Sequence, residues 1–410
     1  MLRLPIENTL DREENIMAEW ITTTLEECTD ILGDGLHGTP KYTENGEYAF
    51  VNGNNLVDGE ILIKKETKRV DYSQYDKYKK PLTNRTILVS INGTLGNVGV
   101  YGSEKIILGK SACYFNVKES VDKDFIYYIV SSPTFKQYLE SNATGTTIKN
   151  VSLKQMREYT FELPEIGEQK RISSVLRKID EKIKNNRAIN KNLLEQVLTL
   201  YRNNFVDTVN DEREICRADE YFDISIGKTP PRKEPQWFST NPQDVTWVSI
   251  SDMGTCGLYI SSSSEQLTRE AVERHNVKIV PDNTVLLSFK LTVGRIAITN
   301  GEMTTNEAIA HFKTDKKEIN EYLYCYLKCF NYQTMGSTSS IATAVNSKII
   351  KGMPFVVPTN DELEEFHGFA APMFAKIKAN QIETDNLTAL RDTLLPKLMS
   401  GELDVSDIDI

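Results

Sequence analysis

Apolar residues recur every three or four positions from Leu163 to Asp207, and this spacing is that of one face of an α-helix. The face consists of Ile172, Leu176, Ile179, Ile183, Asn186, Asn190, Leu193, Val197 and Leu200. It is apolar at both ends and polar at its middle, as in a heptad seam between two paired helices. Pro164 and Glu165 suit the first turn of a helix. The pattern predicts one long helix over residues 163–209.

A second stretch repeats this pattern, because Phe355-Val-Val-Pro358 corresponds to Phe161-Glu-Leu-Pro164 and 355 − 161 = 194. The shifted face consists of Phe366, Ala370, Met373, Ile377, Asn380, Leu387 and Leu394. Gly368 and Pro372 fall early in this stretch, and we expect them to kink the helix or to delay its start. A second long helix is therefore predicted over residues 358–399.

Each predicted helix follows a block of short β-type runs separated by turn signals. Ile87-Leu-Val-Ser90 in the first block is matched by Val285-Leu-Leu-Ser288 in the second, a shift of 285 − 87 = 198. The order block, helix, block, helix indicates an internal duplication. It predicts an α+β fold in which two similar mixed α/β domains are separated by two long antiparallel helices that form a coiled coil. The predicted segments are an N-terminal extension (1–17), domain 1 (18–162), the central helix (163–209), domain 2 (210–357), the C-terminal helix (358–399) and a tail (400–410).

Composition narrows the class of protein further. The 410 residues carry a formal net charge of −10, which argues against nonspecific coating of nucleic acid but allows local basic patches. No run approaches the twenty or so apolar residues of a membrane span, and the acidic N-terminus is unlike a secretory signal. The six scattered cysteines predict reduced thiols, a cytoplasmic location and no metal site.

Basic residues concentrate in both blocks, where they are interleaved with aromatic residues and could hold phosphates and read base edges. The candidates in the first block are Lys64, Lys65, Lys68, Arg69, Lys79, Lys80 and Arg85. Those in the second block are Lys228, Arg232, Lys233, Lys290 and Arg295. For any single one of these residues, a solvated surface position is the simpler interpretation.

Catalytic patterns are weak along the chain. Gly33-Asp-Gly35-Leu-His-Gly38 matches a dinucleotide-binding spacing, but polar, turn-like residues follow where that motif needs a helix. Asp282 and Asp315 could be assembled with nearby lysines into a nuclease-like metal site, although such combinations arise by chance in chains of this length. A stand-alone metal-dependent nuclease is therefore kept as an alternative, and we assign no catalytic residue.

With the repeat and the helices in place, the chain resembles the specificity subunits of type I restriction–modification enzymes. The most specific segments are Leu163-Pro-Glu-Ile-Gly-Glu-Gln-Lys-Arg-Ile172 and Leu394-Leu-Pro-Lys-Leu-Met-Ser-Gly-Glu-Leu403. Asp34-Gly35 with His37 and Thr39-Pro40, and Gly145-Thr-Thr-Ile-Lys149, also resemble the family. The second block departs from it at Lys228-Thr-Pro-Pro231, which lacks the Asp-Gly pair.

The resemblance implies two target-recognition domains, each reading one half of a bipartite, asymmetric DNA site, with the helices setting the spacer. It implies association with two methyltransferase subunits and, in the full complex, two restriction/translocase subunits. S-adenosylmethionine, ATP and Mg would act in those partners, and this chain would carry no cofactor. A two-domain adaptor that binds no DNA is a further alternative.

Two structural expectations follow from the paired helices. The repeat places Asn186 and Asn380 at corresponding positions, so we expect their amides to face each other at the middle of an antiparallel pair. We also expect the helix ends to dock partner subunits through Tyr201, Phe205, Leu395 and Leu398.

Overall fold

The structure is a computed structural model that describes residues 20–145, 147–208, 213–335 and 345–405. The predicted N-terminal extension and the end of the predicted tail lie outside these residues. The described chain divides into two compact units, residues 20–181 with 387–405 and residues 182–386. No helix in the described ranges has both the length and the apolar composition that crossing a membrane requires.

The first half of the chain contains eleven short strands and five α-helices, the last of them long, among its described residues. The strands are β1 (Ile21–Thr24), β2 (Thr29–Asp34), β3 (Tyr48–Val51), β4 (Leu56–Val57), β5 (Glu60–Ile61), β6 (Arg69–Val70), β7 (Thr86–Ser90), β8 (Val98–Val100), β9 (Ile106–Leu108), β10 (Ala112–Val117) and β11 (Thr160–Leu163). The helices are α1 (Tyr72–Tyr78), α2 (Lys123–Ser131), α3 (Pro133–Asn142), α4 (Leu153–Arg157) and the long α5 (Ile166–Tyr201).

The first unit is built on an antiparallel sheet with strand order β2-β10-β7-β8. Its central strands are buried on both faces, so their residues alternate between two cores. Ile87 and Val89 join the core that also contains α2 and α3, whereas Leu88 joins the core beneath a second sheet, β6-β3-β9. The side chain of Asp122 accepts the amide of Phe125 and so caps α2.

The elements of the second half follow a similar plan. The strands are β12 (Ile215–Arg217), β13 (Asp223–Ile226), β14 (Phe238–Ser239), β15 (Val245–Val248), β16 (Tyr259–Ile260), β17 (Glu265–Leu267), β18 (Val285–Ser288), β19 (Ile296–Thr299), β20 (Thr304–Thr305), β21 (Ile309–Lys313) and β22 (Pro354–Val356). The helices are α6 (Ala218–Tyr221), α7 (Asp252–Thr255), α8 (Arg269–Arg274), α9 (Asn320–Cys329), α10 (Ser347–Lys351) and the long α11 (Asn360–Met399).

The second unit is built on a sheet with strand order β13-β21-β18-β19-β16. Its central strand β18 alternates as β7 does: Val285 and Leu287 enter one core and Leu286 enters another. A second sheet, β14-β17-β15-β20, covers the latter side with Trp237 and Trp247 in a core of its own. The α+β fold class is confirmed, with a similar sheet plan in both units and one more strand in each of the two sheets of the second unit.

The two long helices each contribute to both units, because the division falls within α5 and within α11. In the second unit Asn186 bonds to Glu383 and Asn190 bonds to Asn380, so the two helices run antiparallel there. In the first unit Asp180 bonds to Arg391 in the same sense. The helix packing is as predicted from the seams. The expected late start at Gly368 and Pro372 is wrong, since α11 begins at Asn360 and continues as one helix through both residues. A kink there stays a prediction.

The seam positions are all buried or half-buried. The buried ones are Ile172, Leu176, Ile183, Asn186, Val197, Phe366, Ala370, Ile377 and Asn380. The half-buried ones are Ile179, Asn190, Leu193, Leu200, Met373, Leu387 and Leu394. Phe374, Leu395 and Leu398 are also buried although the sequence pattern did not select them.

The expected pairing of Asn186 with Asn380 is wrong. Asn380 donates to the side-chain oxygen of Asn190 at 2.8 Å, one helical turn further along α5. Asn186 instead donates to Glu383 at 2.8 Å. The repeat sets which residues correspond between the helices, but the axial offset of the two helices sets which of them meet.

The expectation that the helix ends expose a docking surface is also wrong for its strongest residues. Tyr201 is 3% exposed and packs against Tyr322 and Phe366 of its own unit. Leu395 and Leu398 are 6% and 0% exposed in the core of the first unit. These side chains are buried within the folded chain and are therefore not exposed to a partner.

Candidate nucleic-acid interface

The register of the first sheet brings several loops to one end, which we call loop end 1. The end of β2 pairs with the start of β10 (Asp34 with Cys113), and the end of β7 does the same (Ser90 with Ala112). Loop end 1 therefore contains the loops that follow β2 and β7 and the turn that precedes β10, at residues 35–38, 91–97 and 109–111. Loops clustered at one end of a rigid sheet are a common place for binding residues.

Segment 144–150 joins the same end. Asn92 donates its side-chain amide to the Asn150 side chain at 3.0 Å, and the amide of Gly93 donates to the carbonyl of Lys149 at 2.9 Å. Lys149, Lys110 and His37 are exposed there. The His37 ring lies 2.5 Å from the Asp34 carboxylate, which holds it in place. The two family-like segments noted in the sequence thus meet at loop end 1.

The basic candidates of the first block do not form a single patch. The turn that carries Lys64 and Lys65 is fastened to Asn55 through Thr67, and Asn55 lies beyond the end of β3, on the side of loop end 1. Arg69 and Lys68 lie at the start of β6, where Arg69 donates to the carbonyl of Gly46 at 3.3 Å.

Three other candidates lie at the opposite end of the first sheet. Arg85 precedes β7 and donates to the carbonyls of Val117, Lys118 and Val121 at 2.6–2.7 Å. Its guanidinium therefore ties down the turn after β10. Lys79, which ends α1, pairs with Asp76 at 2.7 Å, and Lys80 follows it. Strand β7 separates these residues from loop end 1 by about 13 Å, at roughly 3.3 Å per residue.

The sheet β13-β21-β18-β19-β16 of the second unit has an equivalent end, which we call loop end 2. All five candidates of the second block belong to it. The ends of β13 and β18 meet the start of β21 there, as Ile226 pairs with Ala310 and Ser288 pairs with Ile309. Lys228 follows β13, and Lys290 follows β18. Arg295 precedes β19 and is half-buried, donating to the carbonyl of Ile250 at 2.6 Å.

Arg232 is held in a stacked position rather than left free. Its guanidinium lies 4.2 Å from the ring centre of Phe238 and 4.6 Å from that of Trp247. It also forms two hydrogen bonds of 2.9 Å to the Glu265 carboxylate. Lys233 beside it is exposed. Arg232 therefore joins β14, β15 and β17 through its contacts, whereas the neighbouring Lys233 is exposed and can contact a ligand.

Glu307 is the acidic counterpart at loop end 2. Burial raises its pKa, but the hydrogen bond from Thr229 and the nearby charges of Lys290 and Arg232 bring the pKa below its usual value. The carboxylate is therefore ionised at neutral pH and fixes the loop after β13 to the turn before β21. Hydrogen-bonded carboxylates of this kind can also accept from the cytosine amino group in a DNA groove.

The base of one loop is built in the same way in both units. After β7, Ser90 accepts the amide of Gly96 with its carbonyl at 2.9 Å and the amide of Asn97 with its hydroxyl at 2.8 Å. After β18, Ser288 accepts the amides of Gly294 and Arg295 in the same way, both at 3.0 Å. The duplication read from the sequence is therefore preserved at the level of individual hydrogen bonds.

Comparison with known proteins decides what this duplicated arrangement is. A family model for the type I restriction modification DNA specificity domain matches the chain twice, at residues 17–195 and 210–381. The chain belongs to this family. It is a DNA specificity subunit of a type I restriction–modification system, with two target-recognition domains, and has no catalytic role of its own.

Relatives and solved structures agree with this assignment. The specificity subunit of the type I restriction enzyme MjaIX from Methanocaldococcus jannaschii is 24% identical over 400 residues, covering 90% of this chain and 87% of the relative. The EcoBI specificity subunit of Escherichia coli is 21% identical and covers 85% and 81%. The crystal structure of the S subunit from M. genitalium superposes with a TM-score of 0.57 at 19% identity, covering 94% of this chain and 98% of that one.

The carboxylates considered for a nuclease have other surroundings in this specificity subunit. Asp282 accepts the amide of Gly301 at 2.7 Å, so it joins the turn before β18 to the turn after β19. Within the described ranges, no three His, Cys, Asp or Glu side chains are grouped so that they could hold a metal ion. The Gly33–Gly38 motif lies in β2 and the turn after it, and the described stretch 35–52 contains no helix for a pyrophosphate to face.

Sequence reasoning missed the members of loop end 1. Lys110, Lys149, His37 and the Asn92–Asn150 pair are scattered over more than a hundred positions, so no basic run marks them. The repeat could have pointed only to Asn92, because the loop after β7 corresponds to the loop that carries Lys290 and 290 − 92 = 198.

Proposed function

We propose that this subunit recognises a bipartite, asymmetric duplex site, with loop end 1 contacting one half and loop end 2 the other. The observation that supports this proposal is the shared loop base after β7 and β18, which holds different side chains in the two units. A shared loop base with unequal side chains fits readers of two different sequences.

The basic residues divide accordingly. Lys64, Lys65, Lys110 and Lys149 in the first unit, and Lys228, Lys233 and Lys290 in the second, would contact phosphates or bases. Lys68 and Arg69 would contribute at the flank of the first unit. Arg232 and Arg295 would shape loop end 2, because their guanidinium groups already bond to Glu265 and to the Ile250 carbonyl. Lys79, Lys80 and Arg85 would lie outside the base-reading surface.

The helix pair would set the spacer between the half-sites. An α-helix rises about 1.5 Å per residue, so one added heptad in each helix adds roughly 10 Å, or about three base pairs. We further propose that the subunit assembles with two methyltransferase subunits and, in the full complex, with two restriction/translocase subunits. S-adenosylmethionine, ATP and Mg would be bound by those partners.

The test is to map methylated sites for the complex of this chain with its methyltransferase subunit. Lys149→Glu should weaken or relax recognition of one half-site, and Lys290→Glu that of the other. Lys79→Glu is the matched control, and it should leave both motifs unchanged. If the two loop-end variants degraded the same bases, the assignment of one half-site to each unit would be wrong.

The alternatives predict other outcomes. A stand-alone nuclease would cleave duplex DNA when the purified chain alone is given Mg²⁺. An adaptor without DNA binding would give no sequence-selective shift on duplex DNA, even with the methyltransferase subunit present.

A further inference from the structure

Leu291 has an unusual position at the tip of the loop after β18. Its side chain is fully exposed, at 100% of the reference area. Its φ angle is +60°, a positive value that residues with a Cβ rarely adopt. The amide of Thr292 donates to the carbonyl of Lys290 at 2.6 Å, so Leu291 is the centre of a tight three-residue γ-turn.

The first unit shows that this loop does not require leucine. Gly93 is the residue of the first unit that corresponds to Leu291 in the repeat, since 291 − 93 = 198. Gly93 also has a positive φ, +79°, and glycine adopts it without strain. A Cβ added at Gly93 would meet no atom within 4 Å, so the space beyond the turn is open. In the second unit the corresponding position carries a large apolar side chain that packs in no core of the described chain.

Among the described residues, none covers the Leu291 side chain, so packing within the described chain does not account for a leucine here. The loop is braced by Ser288, whose hydroxyl donates to the carbonyl of Thr292 at 2.6 Å and accepts the amide of Arg295. Lys290 beside the tip is exposed and suits a phosphate. In this arrangement the Leu291 side chain can enter a groove of duplex DNA while the Lys290 ammonium group contacts a phosphate of the DNA backbone.

We propose that Leu291 is a specificity-determining residue that contacts the 5-methyl group of a thymine in the half-site read by the second unit. The inference rests on the proposed function, because it takes loop end 2 as a DNA-reading surface. Thymine methyls are the apolar groups that the major groove offers without disturbing the base stack. Insertion between bases would also need the stack to open.

The experiment uses the complex with the methyltransferase subunit and duplexes that contain its mapped site. Each thymidine in the half-site of the second unit is replaced singly by deoxyuridine, which lacks the methyl group. The wild-type complex should lose affinity about four-fold at one position, the effect of removing one buried methyl group. Leu291→Asn should bind the normal site about ten-fold more weakly and show no response to deoxyuridine.

Three controls keep this outcome interpretable. Asn accepts a positive φ, so Leu291→Asn should keep the loop and its melting temperature. Leu291→Met should retain the deoxyuridine response. Ile279→Asn removes another apolar side chain of the second unit, 53% exposed but located before β18 instead of after it, and should bind like wild type.

Several results would overturn the proposal. These are normal binding by Leu291→Asn, a half-site without thymine, a persistent deoxyuridine response in Leu291→Asn, or an equal loss in Ile279→Asn. Weaker binding without any sensitive thymine would indicate insertion between bases and would reject the methyl contact. Absence of any site preference in the wild-type complex is a different failure, because it contradicts the proposed function itself.

Discussion

Asn380 of helix α11 donates its side-chain amide to the side-chain oxygen of Asn190 on helix α5, at 2.8 Å. Asn190 in turn donates to the backbone carbonyl of Ile377 at 3.2 Å. Asn380 is only 2% exposed, and its amide is satisfied inside the helix pair by Asn190. Polar contacts across the seam, from Asn380 to Asn190 and from Asn190 to the Ile377 carbonyl, favour one register of two paired helices over its neighbours.

Replacing one partner should therefore harm the fold more than replacing both. Asn380→Leu leaves the Asn190 oxygen without its donor, and we expect a loss of about 1–3 kcal/mol in the free energy of unfolding. Asn190→Leu with Asn380→Leu should be near neutral or stabilising, because no buried amide is left unpaired. Denaturant unfolding of the three proteins measures this, with Asn185→Leu on the exposed face of α5 as control. Additive losses in the double variant would contradict the pairing.

Asp180 links the long helices to α2 within the first unit. Its carboxylate accepts from Arg391 of α11 at 2.9 Å and from the Tyr128 hydroxyl of α2 at 2.8 Å. Asp180→Ala should lower the free energy of unfolding by about 2–3 kcal/mol, since it leaves the Tyr128 hydroxyl without its acceptor and Arg391 with Asp392 alone. Arg391→Ala should have a smaller effect, because Asp180 keeps its tyrosine. Thermal unfolding of the two variants tests this order, and the reverse order would show that Tyr128 contributes little.

The buried His311 should make the second unit sensitive to acid. Burial, with a smaller effect of Lys313, lowers the pKa of His311 to about 3, and its ring bonds to the hydroxyls of Ser225 and Thr305 at 3.0 and 2.7 Å. The unfolded chain takes up this proton near pH 6.5, whereas the folded chain resists it. Stability is therefore present above about pH 6.5 and is lost as the pH falls toward 3.

His311→Gln isolates this effect, because glutamine can bond to both hydroxyls without titrating. Between pH 6 and pH 4 the wild type should lose about 2 kcal/mol more unfolding free energy than the variant. Unfolding curves at half-unit pH intervals measure the difference. Parallel pH profiles would show that His311 is protonated in the folded state.

Arg232 and Lys233 are adjacent but should fail in different assays. Arg232→Lys loses the stacking on Phe238 and Trp247 and the paired bonds to Glu265, so stability should fall by about 1 kcal/mol. Lys233→Ala should change stability by less than about 0.5 kcal/mol. It should reduce the salt dependence of DNA binding by about one charge. Salt titrations beside unfolding curves separate the two roles, and an unchanged salt slope would place Lys233 away from the DNA.

The sequence predicted those features that depend on periodicity or repetition. The helical spacing identified α5 and α11, and the buried runs identified central strands such as β7 and β10. It could not predict which asparagines meet, because the pairing depends on the axial offset of two helices. The sequence analysis placed Arg85 among the DNA candidates because residue type alone does not distinguish an arginine that binds backbone carbonyls from one that binds phosphate. Lys110 and Lys149 required the register of the sheet.

The buried leucines near the end of α11 also have a consequence for synthesis of the chain. The core of the first unit includes Leu395, Leu398 and Val405, although most of that unit precedes residue 182. The second unit is continuous in sequence and can be completed earlier. At about 5–20 residues per second, the ribosome needs roughly 10–40 seconds to supply the missing leucines. Most of the first unit thus leaves the ribosome first, but its core is completed last. During that interval part of its apolar surface stays uncovered, and slower translation lengthens the exposure.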